Sequence, residues 1–217
     1  MAAFDLEEQE QISQIKGWWE QFGTLVTGAA VAAALASVGW QGWQWYQGKQ
    51  TAEASALYAV LQKAASEKNT QKSREAAGAL IEKYNGTAYA DMAALLSAKV
   101  QAEAGDLKNA RVPLAWAASN ASDPALRELA RLRLATVMFD DKAYDEALAQ
   151  LQAPTDDSLK ARFADLKGDI LLAQGKREEA RAAYKSVVSA LETATKSESA
   201  ALREIAQAKL DAVGGAQ

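Results

Sequence analysis

Residues 21–48, QFGTLVTGAAVAAALASVGWQGWQWYQG, run without a charged side chain between Glu20 and Lys49. Five of the six tryptophans gather at the ends of that run, Trp18 and Trp19 on one side and Trp40, Trp43 and Trp45 with Tyr46 on the other. Trp19 and Trp40 are 21 positions apart. At ~1.5 Å per helical residue that is about 31 Å, close to the ~30 Å hydrocarbon thickness of a bilayer. Aromatic side chains collect at both interfaces of a membrane helix in this way. The stretch therefore reads as a transmembrane helix over residues 21–46, following a tail of residues 1–20, with the lipid bilayer as its surroundings and Trp18, Trp19, Trp40, Trp43 and Trp45 as interface anchors.

The interior of this span is mostly Ala and Gly. Its strong apolar residues are Phe22, Leu25, Val26, Val31, Leu35 and Val38, which on an insertion scale supply roughly −2 to −3.5 kcal/mol together. A cleaved signal peptide is one rival, since Ala34-Leu35-Ala36 resembles a small-residue cleavage site. The tail opposes it, because Asp5, Glu7, Glu8 and Glu10 make it acidic where a signal peptide is basic. A buried core helix is the other rival, and such helices seldom run so far without a charge. Thr24, Gly28, Ala32 and Ala36 recur at every fourth position, a face that allows close approach of a second membrane helix; an Ala-rich span also contains such spacing by chance.

The chain carries 24 Lys and Arg against 28 Asp and Glu. Residues 1–50 hold 2 and 5 of these, leaving 22 and 23 for residues 51–217, a net charge of −1. That near-neutral balance gives no general footprint for nucleic acid. With no Cys and no His, the chain lacks a thiolate nucleophile, the commonest general base and the usual zinc ligands. The pairs Asp140-Asp141 and Asp156-Asp157 fall at expected turns, where acids cap helices. No phosphate-binding glycine loop is present either. We expect no enzyme activity, cofactor, metal or small-molecule substrate.

From Thr51 on, apolar spacing is helical and no strand alternation is visible. Four segments end a short turn on a small residue that opens a helix, at Ala77, Ala110, Ala147 and Ala180, with intervals of 33, 37 and 33 residues. Tetratricopeptide repeats have a period of about 34. Ala98, Ala135 and Gly168 lie twelve residues before the last three of these alanines, where antiparallel helices cross and need small residues. Gly105 and Gly175 end first helices. Ser97 and Lys167 stand where a large apolar residue is expected, with Leu96 and Leu166 one place earlier, and Pro113 requires a position near a helix start. The long interval places extra residues around Ser119 to Asp123. The fold class is all-α, one transmembrane helix followed by a tetratricopeptide-like solenoid over residues 47–217.

In such a solenoid the first helices line a concave surface. This register places Met92, Leu95, Lys99, Leu129, Leu132, Thr136, Phe139, Arg162, Asp165 and Asp169 on it, an apolar middle with a charged end suited to an extended peptide or a partner helix. Leu129, Leu132 and Phe139 read equally as core. A last helix from Ser199 to Val213, with Leu202, Ile205 and Leu210 on one side, caps the stack or fills the groove.

The run FADLKGDILLAQG at 163–175, continuing through Ala180-Arg181-Ala182-Ala183-Tyr184, with GTAYA at 86–90 and the order of acidic tail, Trp-flanked span and repeats, resembles the YfgM family. That resemblance implies a single-pass inner-membrane protein of Gram-negative bacteria, with a cytoplasmic amino terminus and a periplasmic repeat domain. It also implies association with the SecYEG translocon and with a PpiD-like periplasmic chaperone, helping to pass secreted proteins to periplasmic chaperones. Two other readings are an adaptor for a different envelope complex and a chaperone that binds unfolded clients directly.

Overall fold

The computed structural model describes residues 6–192 and 199–214, and every regular element among them is helical. The helices are α1 (Leu6–Ser66), α2 (Thr70–Lys83), α3 (Ala88–Glu103), α4 (Leu107–Asn120), α5 (Pro124–Asp140), α6 (Tyr144–Gln150), α7 (Asp157–Ala173), α8 (Arg177–Glu192) and α9 (Ser199–Gly214). The chain divides into two compact units, Met1–Gln50 and Thr51–Gln217.

Among the described residues one helix, α1, is long and apolar enough to cross a membrane. Its large apolar side chains face outward, with Leu25, Leu35 and Val38 each about 70% exposed, as expected of a helix apolar all round.

In the second unit, Ala54 and Leu61 of α1 share a buried cluster with Ala76, Ala77 and Leu80 of α2, α3 pairs with α4, α5 with α6 and α7 with α8, and α9 packs on α8. All four hairpins turn in the same way. Lys68, Gly105, Lys142 and Gly175 take positive φ of 54°, 80°, 60° and 78°. In each turn the residue after it donates its N–H five residues back, as Asn69 to Ala64, Asp106 to Gln101, Ala143 to Met138 and Lys176 to Leu171, at 2.8–2.9 Å. This double-bonded C-terminal cap satisfies carbonyls that the helix end would otherwise leave open.

These turns correct the register of the first repeat. The buried Ala110, Ala147 and Ala180 each lie five residues after their turn residue. Five residues after Lys68 is Ser73, also buried, and not Ala77. The true intervals are 37, 37 and 33. Ala77, one helical turn further along the same face, instead matches Leu114, Leu151 and Tyr184. The size of that residue is exchanged with its partner on the first helix. Leu61 faces Ala77 in one cluster, Ala98 meets Leu114 and Ala135 meets Leu151. In the last repeat Gly168 lies under Tyr184, where an added Cβ would come within 2.4 Å of the ring.

Two other expectations change. Pro113 sits in the second turn inside α4 rather than near its start; it is buried, and its missing N–H leaves the Asn109 carbonyl without the usual helical donor. In α9 the residue turned inward is Ala206, while Ile205 is 52% exposed. At 100° per residue, Leu202, Ala206, Leu210 and Val213 form one stripe and Ile205 falls on its edge. Lys167 is exposed and Ser97 buried, with Leu96 and Leu166 half-buried against neighbouring clusters. Both 37-residue intervals carry their extra residues between the second helix and the next first helix, with 25 positions from Ser73 to Ala98 and from Ala110 to Ala135 against 21 from Ala147 to Gly168.

Candidate partner-binding surface

Ten residues of the first helices form the expected partner surface, and burial divides them. Leu95 and Leu132 are buried in core clusters. Leu129 and Phe139 are half-buried against those clusters, the Phe139 ring 5.9 Å from that of Tyr144. Their side chains are used inside the repeat, so the expected apolar middle is mainly core. Met92, 36% exposed, Lys99, Thr136 and Arg162 remain open. Lys99 pairs with Glu103 at 3.7 Å, and the Thr136 hydroxyl donates to the Leu132 carbonyl at 3.0 Å.

The charged end is closed from within the chain. Lys209 on α9 places its Nζ 2.8 Å from the carboxylates of both Asp165 and Asp169. The buried Tyr184 hydroxyl donates to Asp169 Oδ1 at 2.7 Å. Burial, then this hydrogen bond and the nearby carboxylates, pushes the Tyr184 phenol well above its ordinary range, so it stays protonated. Burial works against the Lys209 ammonium, yet the hydrogen bonds and charges of the two aspartates outweigh it and hold its pKa up.

Sequence reading missed three side chains that shape this unit. Asp91 and Glu128, each buried, occupy the same place in successive repeats, seven residues before Ala98 and Ala135. Asp91 Oδ2 accepts the Ser122 N–H at 3.0 Å. Glu128 Oε1 accepts the Thr155 N–H at 2.7 Å and its hydroxyl at 2.5 Å, and Oε2 accepts the Asp156 N–H at 3.1 Å. Each acid thus holds the entry to the next repeat. Arg131, three residues after Glu128, donates to the Gln150 carbonyl at 3.1 Å and to that of Gln152 at 3.1 Å. An acid repeated seven residues before a buried small residue was the available signal.

Three of the four paired carboxylates are engaged structurally. Asp141 pairs with Arg111 at 2.7 Å, Asp156 caps α7 through the Ser158 N–H at 2.8 Å, and Asp157 pairs with Lys160 at 2.5 Å. No cluster of three potential metal ligands occurs among the described residues.

On α1, Thr24, Gly28, Ala32 and Ala36 are exposed on one face, and a Cβ on Gly28 would meet nothing within 4 Å. Trp18, Trp19, Trp40, Trp43 and Trp45 are all more than half exposed. Trp18 contacts Trp19 and Phe22 at 6.4 and 5.7 Å between ring centres, and the Lys49 ammonium lies 5.9 Å from the Trp45 ring.

A family profile described as a tetratricopeptide repeat-like domain matches residues 16–215. An ancillary SecYEG translocon subunit of Haemophilus influenzae is 32% identical over 186 residues, 84% of this chain and 89% of that protein. The chain belongs to this YfgM family. The family member of Neisseria gonorrhoeae with the same description is 30% identical over 212 residues, 97% of this chain and 99% of the relative. That of Escherichia coli K12 is 32% identical over 104 residues, 48% of this chain and 50% of its own length. The YfgM family match therefore spans the candidate membrane helix and the repeats together.

Proposed function

We propose that this chain is a non-enzymatic scaffold anchored in the inner membrane by residues 21–46, with residues 1–20 cytoplasmic and 47–217 periplasmic, and that it serves the SecYEG translocon as an ancillary subunit. The observation that carries this reading is similarity to proteins described as ancillary SecYEG translocon subunits, reaching 97% of this chain and 99% of the Neisseria relative. The physical features agree with it. One helix is suited to a bilayer, and the rest is a stack of helical hairpins, a form that offers repeated surfaces to other proteins.

The finer reading follows the exposed first-helix residues. Met92, Lys99, Thr136 and Arg162 contact a partner of the channel, a PpiD-like periplasmic chaperone that takes over emerging proteins. The face Thr24, Gly28, Ala32 and Ala36 packs against a membrane helix of the assembly.

Site-specific photocrosslinking in cells tests both levels, with probes at Ala32, Met92 and Arg162. The expected result is an adduct with a channel subunit from Ala32 and one with a periplasmic chaperone from Met92 or Arg162. Capture of a different envelope assembly by all three probes at normal expression would refute the Sec-associated role. Channel adducts without a chaperone adduct would retain that role and remove the handover.

A further inference from the structure

The chain contains four asparagines, Asn69, Asn85, Asn109 and Asn120, and hydrogen bonds hold three of them. Asn69 caps α2, its Oδ1 accepting the Lys72 N–H at 3.0 Å. The Asn109 amide donates to Asp106 Oδ2 at 2.7 Å, and that of Asn120 to the Trp116 carbonyl at 2.9 Å. The backbone N–H groups that follow these last two are also engaged, Ala110 with the Asp106 carbonyl at 3.0 Å and Ala121 with the Ala117 carbonyl at 3.1 Å.

Asn85 has none of these restraints. It is exposed in the turn between α2 and α3, and it alone of the four is followed by glycine. Neither its side-chain amide nor the Gly86 N–H makes a hydrogen bond among the described residues. A Cβ on Gly86 would meet nothing within 4 Å. Neither a side chain of residue 86 nor a neighbour therefore hinders approach of the Gly86 nitrogen to Asn85 Cγ.

That freedom favours a reaction within the chain, at a residue type that is thermally labile. Hydroxide takes the proton of the Gly86 N–H, and the nitrogen forms a bond to Asn85 Cγ. The Cγ–Nδ2 bond breaks, water returns a proton to the departing nitrogen, and ammonia and hydroxide are released. Water then opens the cyclic imide. Attack at Cγ breaks its new bond to the Gly86 nitrogen and leaves aspartate. Attack at the main-chain carbonyl carbon of residue 85 breaks the original peptide bond and leaves isoaspartate, with the backbone rerouted through the side chain. Water is the only reagent consumed.

The surrounding turn separates the two products. The Thr87 N–H and hydroxyl both donate to the Tyr84 carbonyl, at 2.9 and 2.8 Å, and close the chain around Asn85 and Gly86. Tyr84 and Tyr89, on either side, pack against the cluster of Ala54, Leu61, Ala77 and Ala93 that joins the first repeat to α3. Isoaspartate lengthens the main chain inside this closed turn by one carbon, so the two bonds to the Tyr84 carbonyl lose their geometry. Aspartate adds only a charge.

We propose that Asn85 is a site of spontaneous deamidation and isomerisation, and that its isoaspartate product releases the Tyr84–Thr87 turn at the junction of the first two repeats. The reaction needs no partner and does not depend on which complex the chain serves.

The test ages the full detergent-solubilised chain at pH 8 and pH 6 and follows its tryptic peptides by mass spectrometry. Cleavage after lysine and arginine places each asparagine in a different peptide, Asn85 in residues 84–99. This peptide is expected to convert at least tenfold faster than those of the other three asparagines, faster at pH 8 than at pH 6, and to yield isoaspartate as well as aspartate. Gly86→Ala, at a backbone position outside the positive-φ region, should slow conversion at least tenfold with unchanged circular dichroism. Hydrogen exchange at the Thr87 amide should quicken at least tenfold in the isolated isoaspartate form and stay within twofold in Asn85→Asp. Conversion of residues 84–99 no faster than that of the other peptides, indifference to Gly86→Ala, or conversion in urea but not in the folded chain would overturn the site. Unchanged exchange at Thr87 in the isoaspartate form would overturn the release of the turn.

Discussion

Asp91 and Glu128 stand at equivalent places in successive repeats, and their surroundings drive their carboxyl groups in opposite directions. Glu128 receives two hydrogen bonds from Thr155 and one from Asp156, which outweigh its burial and hold its pKa below the ordinary 4.5. Asp91 is buried with one donor, Ser122, while Oδ1 accepts no hydrogen bond among the described residues, so burial pushes its pKa above 3.8. The stability owed to Glu128 is present above pH 4.5 and is lost as pH falls through its folded-state value. For Asp91 the proton is held more tightly in the folded chain, so its contribution is full below pH 3.8 and declines as pH rises through the raised value. Glu128→Gln should cost roughly 2 kcal/mol at pH 7, a cost that shrinks on acidification. Asp91→Asn keeps the acceptor for Ser122 and should leave stability at pH 7 unchanged or higher, with its advantage over the parent disappearing in acid. Urea unfolding of the detergent-solubilised chain at pH 7 and pH 4 reads both; equal losses for the two variants at pH 7 would contradict this account. The positions were visible in the sequence as acids, but their opposite environments arise from the loops at 122 and 155–156, which no local pattern discloses.

At the level of the hairpin, volume is conserved across a helix pair rather than at a position. Gly168 admits Tyr184, and Ala77 admits Leu61. This is why three repeats were legible and the first was misplaced by one turn: Leu61 breaks the small-residue pattern and Ser73 stands where the other repeats have alanine, while Ala77 imitates that alanine from the neighbouring turn. Gly168→Ala should destabilise by about 1–3 kcal/mol through overpacking against the Tyr184 ring. Combined with Tyr184→Leu it should cost less than the two changes added, by at least ~1 kcal/mol, because the leucine withdraws from the new methyl. Strict additivity in chemical unfolding would show that the two residues do not compete for space. The turns offer a separate check. Lys142 holds φ 60° where Gly105 and Gly175 hold similar values, and side chains with a Cβ pay ~1–2 kcal/mol in this region. Lys142 is exposed, so Lys142→Gly loses no packing and should raise the unfolding free energy by roughly 1 kcal/mol. An unchanged or lower value would mean that the turn is not strained.

Across the whole chain, the two units draw on different physics, and only one has energy to spare. The repeat unit buries side chains in five clusters that run from Ala54 to Ala206, so a single surface change leaves it folded. The span relies on six strong apolar residues worth roughly −2 to −3.5 kcal/mol in insertion, and its Ala and Gly add little. This contrast was legible from composition alone, since insertion depends on what the helix contains, whereas the packing of α9 through Lys209 depends on Asp165 and Asp169, 44 and 40 residues away. One arginine near the middle of a span costs roughly 2.5–3.5 kcal/mol on the same scale, enough to cancel the favourable sum. Ala32→Arg should therefore move most of the chain from the carbonate-resistant membrane fraction to the soluble fraction, while Ala32→Leu should leave it in the membrane. Circular dichroism of the released protein should retain the helical signal of the repeats, because residue 32 lies in the first unit and the repeats in the second. If Ala32→Arg remained carbonate-resistant, residues 21–46 would not anchor the chain by insertion alone, and contacts along the Thr24-Gly28-Ala32-Ala36 face with another membrane helix would have to supply the difference.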